Sequence, residues 1–218
     1  MKEIQVRVER LYRYAVGVLF FCGAFFTVFA QSETNSRFIP EIIMGVSSSQ
    51  VSGDQLAGFD QLGLSGGVSV RMETGGHWRP GMDILFTQKG SRKNASPDKG
   101  DFDSYLLRLN YIQVPLYMSH QKEHIGFDLG VSYGQLVSSK EENQNGTVIG
   151  LGREFESGEL SGIAGIRYNF APQWTLTTRL DQSITAVRKH AGAAVFRLNR
   201  GQYNTVILFQ IRYEPFSS

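Results

Sequence analysis

Two imidazoles and a carboxylate fall in one short stretch at His120, Glu123 and His124. Nitrogen and oxygen donors so close together could hold a divalent metal, although a turn beside a strand end more often carries solvated histidine. Asp98, Asp101 and Asp103 in "PDKGDFD" could offer oxygens to Ca²⁺. The liganding Gly and the closing Glu of a calcium loop are missing there. His190 with Ser139 or Asp103 would be the material of an acyl-transfer triad, but nothing in the spacing fixes its geometry, and a hydrated loop histidine is the commoner state. Gly150-Leu-Gly152 lacks the strand–helix setting of a phosphate loop. Asn94-Ala-Ser and Asn145-Gly-Thr match glycosylation sequons, a short pattern that assigns nothing by itself. No catalytic, cofactor-binding or metal-binding residue is assigned, and no cofactor is expected.

A different set of charged residues is more informative, because each sits inside an apolar alternation. Glu41, Asp83, Asp128 and Asp181 come at similar heights when residues are counted up from one end of their strands. Arg71, Arg167, Arg179 and Arg212 come at similar or slightly lower levels, with Arg108 nearer the opposite rim. Acids and bases at one level of a narrow, poorly hydrated interior must pair, since an isolated buried charge is costly. The expected chemistry is an interstrand ionic network that plugs a barrel.

The elements that would position it are strands. Period-two alternation recurs along the chain, and helical periodicity is hard to find. Eight strands are predicted at about 37–47, 62–73, 78–90, 104–119, 124–139, 158–170, 174–187 and 203–215. Short turns at 74–77, 121–124 and 171–173 alternate with long polar segments at 48–61, 91–104, 140–157 and 188–201. A bacterial outer-membrane barrel has this asymmetry, with short periplasmic turns and longer outside loops. The fold class expected is therefore all-β, an eight-stranded antiparallel up-and-down transmembrane barrel.

The faces sharpen the choice. Tyr203, Thr205, Ile207, Phe209, Ile211 and Tyr213 share one face of the last strand, and Asn204, Gln210 and Arg212 share the other. The polar faces carry Gly, Ser, Asn, Asp and Arg with almost no Lys or Glu, unlike an ordinary solvated surface. Tyr105, Tyr133, Tyr168, Trp174, Tyr203 and Tyr213 are placed as aromatic girdles at two membrane interfaces. In "SYLLRLNYIQVPLYMSH", Tyr105, Leu107, Leu109 and Tyr111 are expected to face lipid, with Arg108 and Asn110 inside. Continuing that phase would put Gln113 in lipid, and Pro115 cannot donate to a ladder. A bulge near 112–115 is expected to reset the strand.

The first thirty residues account for the whole formal charge of +2, through Lys2, Arg7, Arg10 and Arg13 against Glu3 and Glu9. The neutral remainder has no basic stripe and excludes nucleic acid as a partner. A basic opening, the apolar run "AVGVLFFCGAFFTVFA" and Val28-Phe29-Ala30 read as a secretory signal peptide over 1–30, leaving a barrel domain over 31–218. The sole cysteine, Cys22, lies in the segment removed, so disulfides and thiol catalysis are excluded from the mature chain.

"FTQKGS" (86–91), "LRLNYIQVPLYMSH" (107–120), "GFDLGVSYGQLVSSK" (126–140) and "RYNFAPQWTLTTRLDQSIT" (167–185) resemble the PorT-type outer-membrane β-barrel family of Bacteroidetes, a porin-like family. The resemblance implies an outer-membrane location and a barrel fold. A few members are linked to type IX secretion or gliding, a role not carried over. The chain departs in ending Ser217-Ser218 after Phe216, where many outer-membrane proteins end on the aromatic itself.

The expected protein is non-enzymatic, with a structural or interaction role through four outside loops. Its expected partners are outer-membrane lipid or lipopolysaccharide and other envelope proteins. The alternatives are a narrow channel or accessory secretion component in the outer membrane, and a soluble periplasmic ligand-binding barrel.

Overall fold

The computed structural model describes residues 37–52, 58–95, 98, 100, 102–144, 146–147, 155–189 and 201–216. The signal peptide, Asp101 and His190 lie outside the described residues.

Eight long strands form the wall: β1 Arg37–Ser52, β2 Gln61–Glu73, β3 Trp78–Lys93, β4 Tyr105–Lys122, β5 Ile125–Asn143, β6 Gly158–Ala171, β7 Trp174–Ser183 and β8 Gly201–Tyr213. Each pairs antiparallel with its neighbour in sequence, and β1 pairs β8 from Ile42↔Tyr213 to Ser52↔Tyr203, closing the cylinder. Two short pieces, Gly146–Thr147 and Arg188–Lys189, extend the ends of β5 and β8. The short turns 74–77, 123–124 and 172–173 lie at one end with both described termini, where Arg37 Nη2 donates to the Phe216 carbonyl at 2.9 Å. The long connections leave the other end.

Alternation sorts the side chains. Outward residues such as Met44, Leu64, Ile84, Leu129, Ile166 and Phe209 are exposed, Leu129 by 71%. The opposite faces bury Glu41, Ser65, Asp83, Asp128, Thr177 and Gln210. This is the inverse of a soluble globule, whose large apolar residues go inside. The apolar band ends, towards the long loops, at a row of outward polar side chains. Gln88, Asn110 and Ser138 are aligned by register, and Asn110 Nδ2 donates to Ser138 Oγ at 2.7 Å. Towards the short turns it ends in aromatics: Trp174 stacks near Tyr213 and Trp78 near His120, both pairs with ring centroids 4.6 Å apart.

β4 departs from expectation. Its alternation runs unbroken, with Leu107, Leu109, Tyr111, Gln113, Pro115, Tyr117 and Ser119 all buried inside. Leu107, Leu109 and Tyr111 therefore do not face lipid, and Arg108 and Asn110, expected inside, point outward, with Arg108 exposed. Tyr105, on the inward face at the rim, donates to Glu141 Oε1 at 2.7 Å and is not part of a lipid girdle. The irregularity falls on the neighbouring strand: Asn110 pairs Ser138 and Tyr111 pairs Leu136, so Val137 is the extra residue. Pro115 needs no bulge, because the β3–β4 pairing is simply interrupted opposite it, between Met82↔Leu116 and Leu85↔Gln113. The leucines go in because that end of the lumen is apolar. Val51, Leu107, Leu109 and Tyr111 form a buried cluster, with Tyr105, Leu136 and Phe155 packed against it.

Candidate functional site

The lumen toward the short-turn end holds one residue from each of the eight strands: Glu41, Arg71, Asp83, Tyr117, Asp128, Arg167, Arg179 and Arg212. Arg212 reaches Asp83 at 2.8 Å and Glu41 at 3.1 Å. Arg179 reaches Asp83 at 2.8 Å and Asp128 at 3.2 Å. Arg167 reaches Glu41 at 3.0 Å and Asp128 at 3.3 Å. Arg71 joins from below, 3.1 Å from Glu41 and 4.0 Å from Glu214. Every carboxylate in the cluster thus meets two or three guanidiniums, an arrangement that offsets the desolvation of each charge.

Tyr117 stands at the centre of this cluster. Its hydroxyl lies within 3.4 Å of Arg167, Arg212 and Ser69, and the Arg179 guanidinium sits 4.7 Å from its ring centroid. The ring is seated against Gly81, where an added Cβ would come within 2.5 Å of a ring carbon. Sequence reasoning missed Tyr117 because a tyrosine near a short turn reads as an interface aromatic, although the reset expected at 112–115 would turn it inward with Gln113. The unbroken spacing Tyr111, Gln113, Pro115, Tyr117 was the available signal.

A second tier lies nearer the long loops. Lys89, fully buried, donates to Glu159 at 3.0 Å and to Asp181 at 3.4 Å. Gln113 Nε2 donates to Asp181 at 2.8 Å, and Ser183 and Asn204 donate to Glu159 at 2.9 and 3.1 Å. Asp181 was expected at the level of Asp83 and Asp128; it belongs to this tier, one inward step above Arg179 on β7. Lys89 and Glu159 went unread because such residues usually mark a solvated face. Leu85, Ile163 and Leu208, all buried, lie between the tiers along their strands, and buried Ile43 is the next inward residue above Glu41. Among the described residues, the two tiers set five buried bases (Arg71, Lys89, Arg167, Arg179, Arg212) against five buried acids (Glu41, Asp83, Asp128, Glu159, Asp181). The lumen is neutral overall.

Above the apolar cluster the rim is drawn together. Glu141 accepts from Arg188 Nη2 at 2.8 Å, and the Arg188 guanidinium lies 4.2 Å from the Phe155 ring centroid. Arg108 takes no part in any of this and stands on the outer wall. Of the residues placed as girdles, Tyr168, Trp174 and Tyr213 line the short-turn edge of the apolar band, and Tyr133 and Tyr203 occupy outward positions farther toward the long loops.

The residues considered for chemistry are scattered. His77 and His120 have ring centroids 5.6 Å apart at the short-turn end, with His77 Nδ1 3.1 Å from the Gln121 carbonyl. Asp103 accepts from Gln144 at 3.2 Å in an exposed position, and Ser139 is exposed on β5. Among the described residues no three His, Cys, Asp or Glu side chains group as metal ligands would.

A model of the family described as outer membrane protein beta-barrel domain matches residues 29–189. Among solved structures, the chain is similar to Ail, the attachment invasion locus protein of Yersinia pestis, in complex with the heparin analogue sucrose octasulfate. That likeness has 16% identity, 81% coverage of this chain and 98% of that chain, and a TM-score of 0.45. It is also similar to Neisserial surface protein A, with 10% identity, 83% and 99% coverage and a TM-score of 0.49. A third likeness is to OprG from Pseudomonas aeruginosa, with 10% identity, 85% and 97% coverage and a TM-score of 0.37. No curated protein sequence matches.

Proposed function

The chain belongs to the outer membrane protein beta-barrel domain family, and from that premise we propose a non-enzymatic barrel that is closed to solutes and works through its long-loop end. It resides in the outer membrane as an integral barrel. Within the family we place it beside the PorT-type barrels of Bacteroidetes, on "FTQKGS" and on the Tyr111–Pro115–Leu116 motif. Residues 1–30 are read as the export signal, and mass spectrometry of the mature protein should find Gln31 or Ser32 at its start.

One observation carries the closed-lumen reading: a buried side chain from every strand joins one cluster, in which Arg167, Arg179 and Arg212 are no more than 1% exposed. An eight-stranded interior is about wide enough for side chains alone to fill it. The narrow-channel alternative therefore requires breaking several ion pairs at once. The reading orients the short turns toward the periplasm and the connections 53–60, 94–104, 144–157 and 184–200 toward the outside, as such barrels are built. Partners are then met at the long-loop end: envelope proteins, or lipopolysaccharide around the wall.

Planar-bilayer recording tests the closed lumen. The refolded barrel should show no stable conductance steps, and a persistent open level would overturn it. Protease added to intact cells should cut within 94–104 or 144–157 and spare 123–124. Cleavage confined to the short turns would invert the orientation.

A further inference from the structure

Arg108 is exposed on the outer wall, and its cross-strand partner on β5 is another cation, Lys140. Like charges directly opposite in an antiparallel pair are destabilising. Arg92, exposed on β3, is one register step away diagonally, since Gly90 pairs Arg108 and Arg92 pairs Leu106. Gly90 puts no side chain between the two arginines, and a Cβ there would come within 1.9 Å of the Leu107 carbonyl. Arg108 has no ion-pair partner among the described residues. Lys140 has only the exposed Glu142, 2.8 Å away on its own strand, and Arg92 has the neutral amide of Asn94 at 2.8 Å. Three cations thus face one carboxylate on adjacent strands, beside a lumen whose charges balance.

Their height identifies the occupant. Asn110 and Ser138 belong to the polar row that ends the apolar band, and Arg108 and Lys140 are the next outward residues above it. Two residues of a strand tilted by about 40° rise about 5 Å. That is headgroup depth, neither hydrocarbon nor the free loop tips.

We propose that Arg92, Arg108 and Lys140 form a binding site on the outer wall for the phosphate of a phosphorylated outer-leaflet lipid, which bridges cations that otherwise repel. The site rests on the orientation proposed above, with the long loops outside.

Native mass spectrometry of the detergent-solubilised full barrel, titrated with diphosphoryl lipid A, tests it. The wild type should retain lipid adducts, and the combined variant R92Q/R108Q/K140Q should bind about a hundredfold more weakly, three surface cations having been removed. Lys122→Gln, at the short-turn end, should bind as wild type does. Dephosphorylated lipid A should bind the wild type as weakly as diphosphoryl lipid A binds the combined variant, and inorganic phosphate should compete only in large excess. Equal binding by the combined variant, equal binding of the dephosphorylated lipid, or displacement by phosphate at concentrations like those of the lipid would overturn the assignment.

A second readout separates this site from the membrane reading. In phosphatidylcholine vesicles Arg108→Gln should raise thermal stability by relieving repulsion, and in vesicles containing diphosphoryl lipid A it should lower it. The same sign in both would overturn the site while leaving the membrane barrel intact. Failure of the wild type to insert into either vesicle would bring down both.

Discussion

Arg167 Nη1 lies 3.0 Å from Glu41 Oε1, although the two residues are 126 positions apart in the chain. The pair spans the lumen from β6 to β1, so it reports on the closed cylinder and not on any single hairpin. Both partners are buried, and removing one leaves the other short of a counter-charge that water does not replace.

That asymmetry sets the first expectation. Asp83→Ala takes one of two carboxylates from both Arg179 and Arg212, which keep only Asp128 and Glu41, and should cost about 3–5 kcal/mol, since two buried cations are left under-compensated. Lys140→Ala removes an exposed pair and should cost less than about 1 kcal/mol. Urea unfolding of the refolded barrel compares the two, and equal midpoints would mean that the lumen charges are hydrated.

The turn between β4 and β5 offers a gain. Glu123 has φ of 52°, in the left-handed region that costs an ordinary side chain about 1–2 kcal/mol. Asparagine tolerates it better. Glu123→Asn should stabilise the barrel by roughly 0.5 kcal/mol, and Glu123→Val should destabilise it by about 1 kcal/mol or more. The same urea titration reads both.

At the long-loop rim, pH should matter. Burial opposes ionisation of Glu141, but hydrogen bonds from Arg188 and Tyr105 outweigh it and hold the carboxyl below its ordinary 4.5. A depressed acid contributes stability that is complete above 4.5 and is lost as pH falls through the lowered value. Amide protection around Arg188, corrected for intrinsic exchange rates, should therefore decline below pH 4.5 in the wild type. In Glu141→Gln this decline should be absent.

A seam between β2 and β3 gives the fourth expectation. Their ladder runs only from Ser65↔Thr87 to Arg71↔Gly81, and above it side chains do the stitching. Gln88 Oε1 accepts from the Leu64 amide at 3.1 Å, and Ser47 Oγ donates to the Gln88 carbonyl at 2.5 Å, passing Gly63, where a Cβ would crowd it at 2.7 Å. Gln88→Ala should cost about 1 kcal/mol and hasten exchange at Leu64 more than at Leu116.

The barrel itself was legible in the sequence because membrane strands alternate strictly and their turns alternate short and long. The lumen was legible where small residues surround a charge, as at Asp128 between Gly126 and Gly130. It was misread where composition argued against geometry. Leu107 and Leu109 look like lipid-facing residues, yet they cap the lumen, because an apolar layer above the polar tiers also needs filling. Arg108 followed them in error to the wrong side. Asp181 was placed one tier too low because counting from strand ends ignores stagger between strands, which closure of a tilted sheet imposes.

The eight-membered cluster takes one side chain from every strand, including Arg212 on the last and Glu41 on the first, 171 positions apart. No hairpin, and no sheet lacking one strand, can complete it. A partly assembled wall carries the desolvation cost of its charges with only some of their partners. The lumen therefore acts as an end-of-assembly check. Its stabilisation arrives late and together, which favours slow, all-or-none closure over a population of open sheets.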